Sequence, residues 1–118
     1  PSSLWIAAIL AVNNTCDIEG DRLAGRRTWP VIIGVRGGEI TVMLLGLAAQ
    51  VAGIAAARAG YLPHRATTTI LAGCVPAALI LASMHRAGFS HATKGRNMKR
   101  ILLCLLSHTV FLACGYIS

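Results

Sequence analysis

The sequence predicts an all-α protein, a polytopic bundle of transmembrane helices, and three features carry that prediction. Of 118 residues, 55% are hydrophobic and 13% charged, and mean hydropathy is +0.65; soluble domains carry roughly 25% charged residues. The charges stand in clusters, which leaves uncharged runs of 18 residues at 40–57, 19 at 66–84 and 18 at 101–118. Small residues crowd the first of these runs (Gly46, Ala48, Ala49, Ala52, Gly53), as they do where helices approach closely in lipid. A soluble bundle would show a polar stripe at helical period, whereas Val42 to Ala57 offers only Gln50.

Taken in order, the expected spans are 1–16, 39–58, 65–85 and 100–117. A helix needs about 20 apolar residues to cross a hydrocarbon core of about 30 Å, so the last three each suffice once flanking residues are added. The first is too short and begins without a methionine, and it reads as a helix cut at its N-terminal end. It has neither the basic leader nor the small-residue cleavage site of a signal peptide. Gly34, Gly37 and Gly38 are expected in the turn before the second span, and they make no phosphate-binding glycine pattern. Gly60-Tyr61-Leu62-Pro63 reads as a turn with an interfacial aromatic, and Pro76 as a kink within the third span. His108, in the last span, is expected to be a neutral histidine bonded to a neighbouring helix rather than a proton relay. The four cysteines show no C-x-x-C pair, and three lie inside apolar runs as small hydrophobes.

Eleven Lys and Arg against four Asp and Glu give a net charge of +7. A nucleic-acid binder would carry its basic stripe on a polar surface, so no nucleic-acid partner is expected. The first connection holds Arg22, Arg26, Arg27 and Arg36; the second, Arg58 and Arg65; the third, Arg86, Lys94, Arg96, Lys99 and Arg100. Connections one and three fall on one side of a serial bundle, so nine basic residues oppose two. By the positive-inside rule that side is cytoplasmic. The protein is therefore expected in the cell inner membrane, with its C-terminus outside. The basic third connection is expected to anchor this topology, with contact to a diphosphate or to anionic lipid as the other reading.

Three of the four acids, Asp17, Glu19 and Asp21, fall within five residues directly after the first span. If the helix persists, Asn14, Asp17 and Asp21 share one face at i, i+3 and i+7, with Asn13 a turn before Asp17. Glu19 points about 200° away. Two carboxylates and an amide oxygen on one face make a hard oxygen site suited to Mg²⁺, which keeps waters and is completed by substrate phosphates. The bland reading is an interfacial loop in which the acids pair with Arg22, Arg26 and Arg27. A calcium loop of the EF-hand kind fails, because Leu23 falls near its turn glycine and Thr28 at its closing glutamate.

The segment Asn14-x-x-Asp17-x-x-x-Asp21, followed by Gly25-Arg26-Arg27-Thr28-x-Pro30-Val31 and Gly34, resembles the second aspartate-rich motif of the UbiA superfamily of intramembrane prenyltransferases. Its form is most similar to the MenA-like branch, which prenylates 1,4-dihydroxy-2-naphthoate in menaquinone synthesis. Trp29 departs from the smaller aliphatic residue usual there, which bears on the branch. The resemblance implies a site in which two such motifs bind the diphosphate of a polyprenyl donor through Mg²⁺. Asn13, Asn14, Asp17 and Asp21 would hold the metal, with Asp17 and Asp21 catalytic, and Arg22, Arg26 and Arg27 would grip diphosphate oxygens. The allylic C–O bond breaks as charge gathers on the leaving diphosphate, and an aromatic acceptor captures the cation. In that family the motif follows the sixth of nine spans. The chain is thus expected to be the C-terminal part (1–118) of one prenyltransferase domain, its last four spans with the first truncated. The first motif and the N-terminal half are expected as a missing partner, without which this piece is inactive. Rival readings are a cation transporter, whose acids usually lie near mid-bilayer, and a small membrane assembly subunit.

Overall fold

The computed structural model describes residues 1–117, and all their regular structure is helical. Helix α1 runs Ser2–Cys16, α2 Ile18–Leu23, α3 Trp29–Arg58, α4 His64–Ala87 and α5 Lys94–Ile117; a single 3₁₀ turn, His91–Thr93, precedes α5. The four long helices close a ring in which α1 packs on α3, α3 on α4, α4 on α5, and α5 back on α1. The bundle measures 50 × 22 × 17 Å. Three helices are long and apolar enough to cross a membrane, and α1 is a shorter apolar helix.

A stripe of small residues explains how α3 sits. Gly38, Val42, Gly46, Ala49, Gly53 and Ala57 are buried at spacings of three and four, one face of a helix. A side chain at Gly38 would overlap Thr15 of α1, and a Cβ at Gly46 would stand 3.2 Å from the Trp5 ring. Around this seam Trp5, Ala8, Val12, Met84, Ile101 and Cys104 form the core. The opposite faces carry exposed Leu10, Leu44, Leu47, Leu79, Leu103 and Leu106. Only 22–33% of each spanning window is buried within the chain, so most of the apolar surface faces outward. That pattern suits lipid and would be a liability in water.

The few polar groups inside are bonded across helices. His108 of α5 meets Gln50 of α3 at 3.1 Å, and Gln50 Nε2 donates to the Gly73 carbonyl of α4 at 3.4 Å. His108 is thus bonded to a neighbouring helix, as expected of a histidine buried in an apolar bundle. Pro76 lies inside α4, which continues through it to Ala87. Proline removes one backbone donor from that turn, and the Gln50 amide serves a carbonyl in the same stretch.

Two expectations about the connections are corrected. Gly34 alone turns the chain, at φ 79 and ψ 172, and it divides α3 into a short first segment and the long helix that follows. Gly37 and Gly38 are helical, serving close approach rather than a turn. The third connection, expected over 85–100, shrinks to Gly88–Thr93 because α4 reaches Ala87 and α5 begins at Lys94. Gly88 ends α4 with φ 72, and its carbonyl accepts from the buried Asn97 amide at 2.8 Å.

Candidate functional site

The acidic segment does not continue α1 as one helix. Asp17 breaks it, with φ −117 and ψ 19, its N–H bonded to the Asn14 carbonyl at 3.3 Å. The single stripe expected for Asn14, Asp17 and Asp21 therefore bends at its middle member. Asp17 and Asp21 are directed to different partners.

Asp17 is held from across the bundle. Its Oδ2 accepts from Lys94 Nζ at 3.1 Å, and its Oδ1 lies 3.2 Å from His91 Nδ1. These hydrogen bonds, Lys94's first and His91's second, hold the Asp17 carboxyl below its ordinary value of 3.8. Its side chain keeps 31% exposure and lines a cavity of about 280 Å³ shared with Thr15, Val35, Phe89, Ser90 and His91. Asp21, by contrast, is buried. Thr28 Oγ1 donates to its Oδ2 at 3.1 Å, and Arg26 Nη1 to its Oδ1 at 3.4 Å. Asp21 thereby stitches the loop between α2 and α3, where Thr28 is the residue before α3.

Of the remaining expected site residues, Asn13 Nδ2 donates to Asn14 Oδ1 at 3.4 Å, both half-buried at the end of α1. Arg22 pairs with Glu19 on the surface at 3.2 Å, a pair of little energetic weight. Arg27 is exposed, with no ion pair among the described residues. Glu39 pairs with His85, linking α3 to α4. All four acids thus have basic partners, at the end where nine of the eleven Lys and Arg gather. The surplus of positive charge draws anions to that end.

Asp17 has the donor chemistry for a hard divalent cation: carboxylate oxygens at a cavity, already aimed at positive groups. Asp21 shares that chemistry, but its oxygens are taken by Arg26 and Thr28. No three His, Cys, Asp or Glu side chains among the described residues converge as a metal cluster. Sequence reasoning left His91 out of the site and admitted Lys94 only as part of the basic third connection, in its second reading. The signal for them was parity, because connections one and three share a side and their bases must face the scarce acids.

A family model described as the UbiA prenyltransferase family matches residues 1–115. The chain belongs to the UbiA prenyltransferase family. Comparison with curated proteins finds no match, and neither does comparison with solved structures. UbiA membership supports prenyl transfer in the membrane as the general activity, ahead of cation transport or a purely structural subunit. It also agrees with the three spanning helices.

Proposed function

We propose that the UbiA protein carrying this chain transfers a polyprenyl group from a polyprenyl diphosphate to an aromatic acceptor, 1,4-dihydroxy-2-naphthoate, in menaquinone biosynthesis. The observation that carries the reading is Asp17, a carboxylate lining a cavity within the most basic end of a membrane bundle. The motif around it supports the naphthoate branch. The crowd of Lys and Arg at that end supports a cytoplasmic face in the inner membrane.

Asp17 would hold a Mg²⁺, with Asn14 and Asn13 as amide-oxygen donors and diphosphate oxygens and water completing the shell. Bound there, the cation would neutralise charge developing on the leaving diphosphate. Asp21 would add a further oxygen donor once Arg26 turned to the diphosphate, and Arg22 and Arg27 would grip the same anion from the loop. Arginine's planar fork suits this, since it offers two parallel N–H donors. These groups act more strongly on the departing diphosphate than on the intact ester, which lowers the barrier to C–O cleavage. The allylic carbon then bonds to the naphthoate ring carbon bearing the carboxylate, and that carboxylate leaves as CO₂, returning its electron pair to the ring. Apolar helices exclude the water that would otherwise trap the cation.

The test is turnover of the purified full-length protein that carries this chain, with prenyl diphosphate and, in parallel, naphthoate, hydroxybenzoate and homogentisate acceptors, with Mg²⁺ and with chelator. Product from the naphthoate alone, lost on chelation and reduced at least about 100-fold by Asp17→Ala, is expected. Turnover unchanged in both Asp17→Ala and Asp21→Ala would remove these carboxylates from the mechanism. Preference for another acceptor would overturn the branch while leaving prenyl transfer intact.

A further inference from the structure

Lys94 has no part in the motif, yet its ammonium meets the Asp17 carboxylate at 3.1 Å from a position 77 residues later in the chain. The contact is built rather than incidental. Ser90 and Thr93 cap the 3₁₀ turn reciprocally, Thr93 Oγ1 bonds the Gly88 carbonyl at 2.9 Å, and Asn97 bonds the same carbonyl from inside the bundle. This short, internally bonded connection holds the first residue of α5 against the break after α1. The Lys94 side chain is 27% exposed, so its ammonium stands at the rim of the bundle beside the cavity that Asp17 lines.

Both Asp17 carboxylate oxygens are occupied, Oδ2 by the Lys94 ammonium and Oδ1 by the His91 imidazole. With Asp17 carrying both His91 and Lys94, a metal arriving at Asp17 displaces at least one of them. The displaced ammonium, tethered within one side-chain length, then faces whatever anion accompanies the metal. Lysine suits that exchange, being a point charge on a flexible stem with three donors that reorient freely. Arg26 on Asp21 has the same relation within the loop, so both carboxylates are held by cations that an anion can take over.

We propose that Lys94 is a diphosphate-binding residue of this site: it is parked on Asp17 in the empty protein and transfers to the diphosphate of the prenyl donor when metal binds. This deepens the proposed function and rests on it. It assigns the connection between α4 and α5 a part in substrate binding beyond topological anchoring.

The test measures two affinities of the purified full-length protein that carries this chain, in detergent: that for inorganic pyrophosphate with Mg²⁺ present and that for Mn²⁺ alone. Lys94→Met is expected to weaken pyrophosphate binding about 10- to 100-fold, the worth of one charge-assisted hydrogen bond, while Mn²⁺ binds as well as before or tighter. Lys94→Arg should keep pyrophosphate affinity within about threefold. Lys94→Gln, which can still bond Asp17 without charge, covers the case in which the methionine variant fails to fold and should weaken pyrophosphate binding as much. A lysine that merely positioned Asp17 would lose metal and pyrophosphate binding together, which would overturn the proposal. So would pyrophosphate binding unchanged in both neutral variants. If the unsubstituted protein binds no pyrophosphate with Mg²⁺, the proposed function falls and this inference with it; loss of the Lys94 effect alone leaves that function standing.

Discussion

Asp17 and Asp21 stand four residues apart, yet their surroundings give them different parts in the fold. Asp17 has its folded-state pKa lowered by Lys94 and then His91. Its ion pairs therefore contribute stability in full above its ordinary value of 3.8, and that contribution is lost as pH falls through the lowered value. In a pH series of thermal unfolding in detergent, Asp17→Asn should flatten the acid limb of the curve and leave the neutral limb parallel to the original. An acid limb unchanged by the substitution would mean that the pair adds nothing to folding. Asp21 is buried, and Thr28 supplies one of its two bonds. Thr28→Val keeps the shape and removes the donor, so it should cost about 1–3 kcal/mol through an under-satisfied carboxylate, read as a lowered unfolding temperature. The place of this cluster was legible in the sequence because four acids in so basic a chain stand out. The division of labour was not, because periodicity carries the α1 stripe straight through Asp17 and gives no sign of the break.

Among the elements, α3 shows why glycine is hard to interpret without structure. Gly34 and Gly38 are four residues apart and both looked like turn residues, but they serve different needs. Gly34 adopts φ 79 and ψ 172 with nothing within 4 Å of an added Cβ, so alanine there meets backbone strain of about 1–3 kcal/mol and no clash. Gly38 is helical, and alanine there would overlap the Thr15 side chain, an overpacking cost of about 1–3 kcal/mol. Both single variants should lower thermal stability. Adding Thr15→Ala should recover much of the Gly38→Ala loss and none of the Gly34→Ala loss; recovery of both or neither would refute the assigned causes. The helix ends at Cys16, Arg58, Ala87 and Ile117 lie within two residues of the ends expected from hydropathy, which over about 20 residues leaves little freedom. Two starts do not: α3 begins at Trp29, ten residues early, through a glycine-rich stretch broken by Arg36 and Glu39, and α5 begins at Lys94, six residues early, through a basic stretch that hydropathy does not register.

For the whole molecule, the ring of four helices turns a count of charges into a geometry. The ion pairs from Asp17 to His91 and Lys94 require the break after α1 and the connection before α5 to meet at one end, so the chain between them must go out and return. Helices α3 and α4 provide the two crossings, with the Gly60–Pro63 turn at the far end. Serial parity thus anticipated which connections lie together. It could not anticipate which residues touch, because a contact spanning 77 positions leaves no local trace. The arrangement makes a labelling prediction. In a cysteine-free background, single cysteines replace exposed Arg27, exposed Ala92 or exposed Tyr61, and intact cells receive a membrane-impermeant maleimide. Tyr61→Cys should react from outside, whereas Arg27→Cys and Ala92→Cys should react only after the inner membrane is opened, because the proposed orientation puts the end with nine basic residues in the cytoplasm. The mirror-image pattern would reverse the orientation and leave the bundle intact. Arg27→Cys and Ala92→Cys reacting from opposite sides would break the ring itself, and with it the pairing of Asp17 with Lys94 on which the site depends.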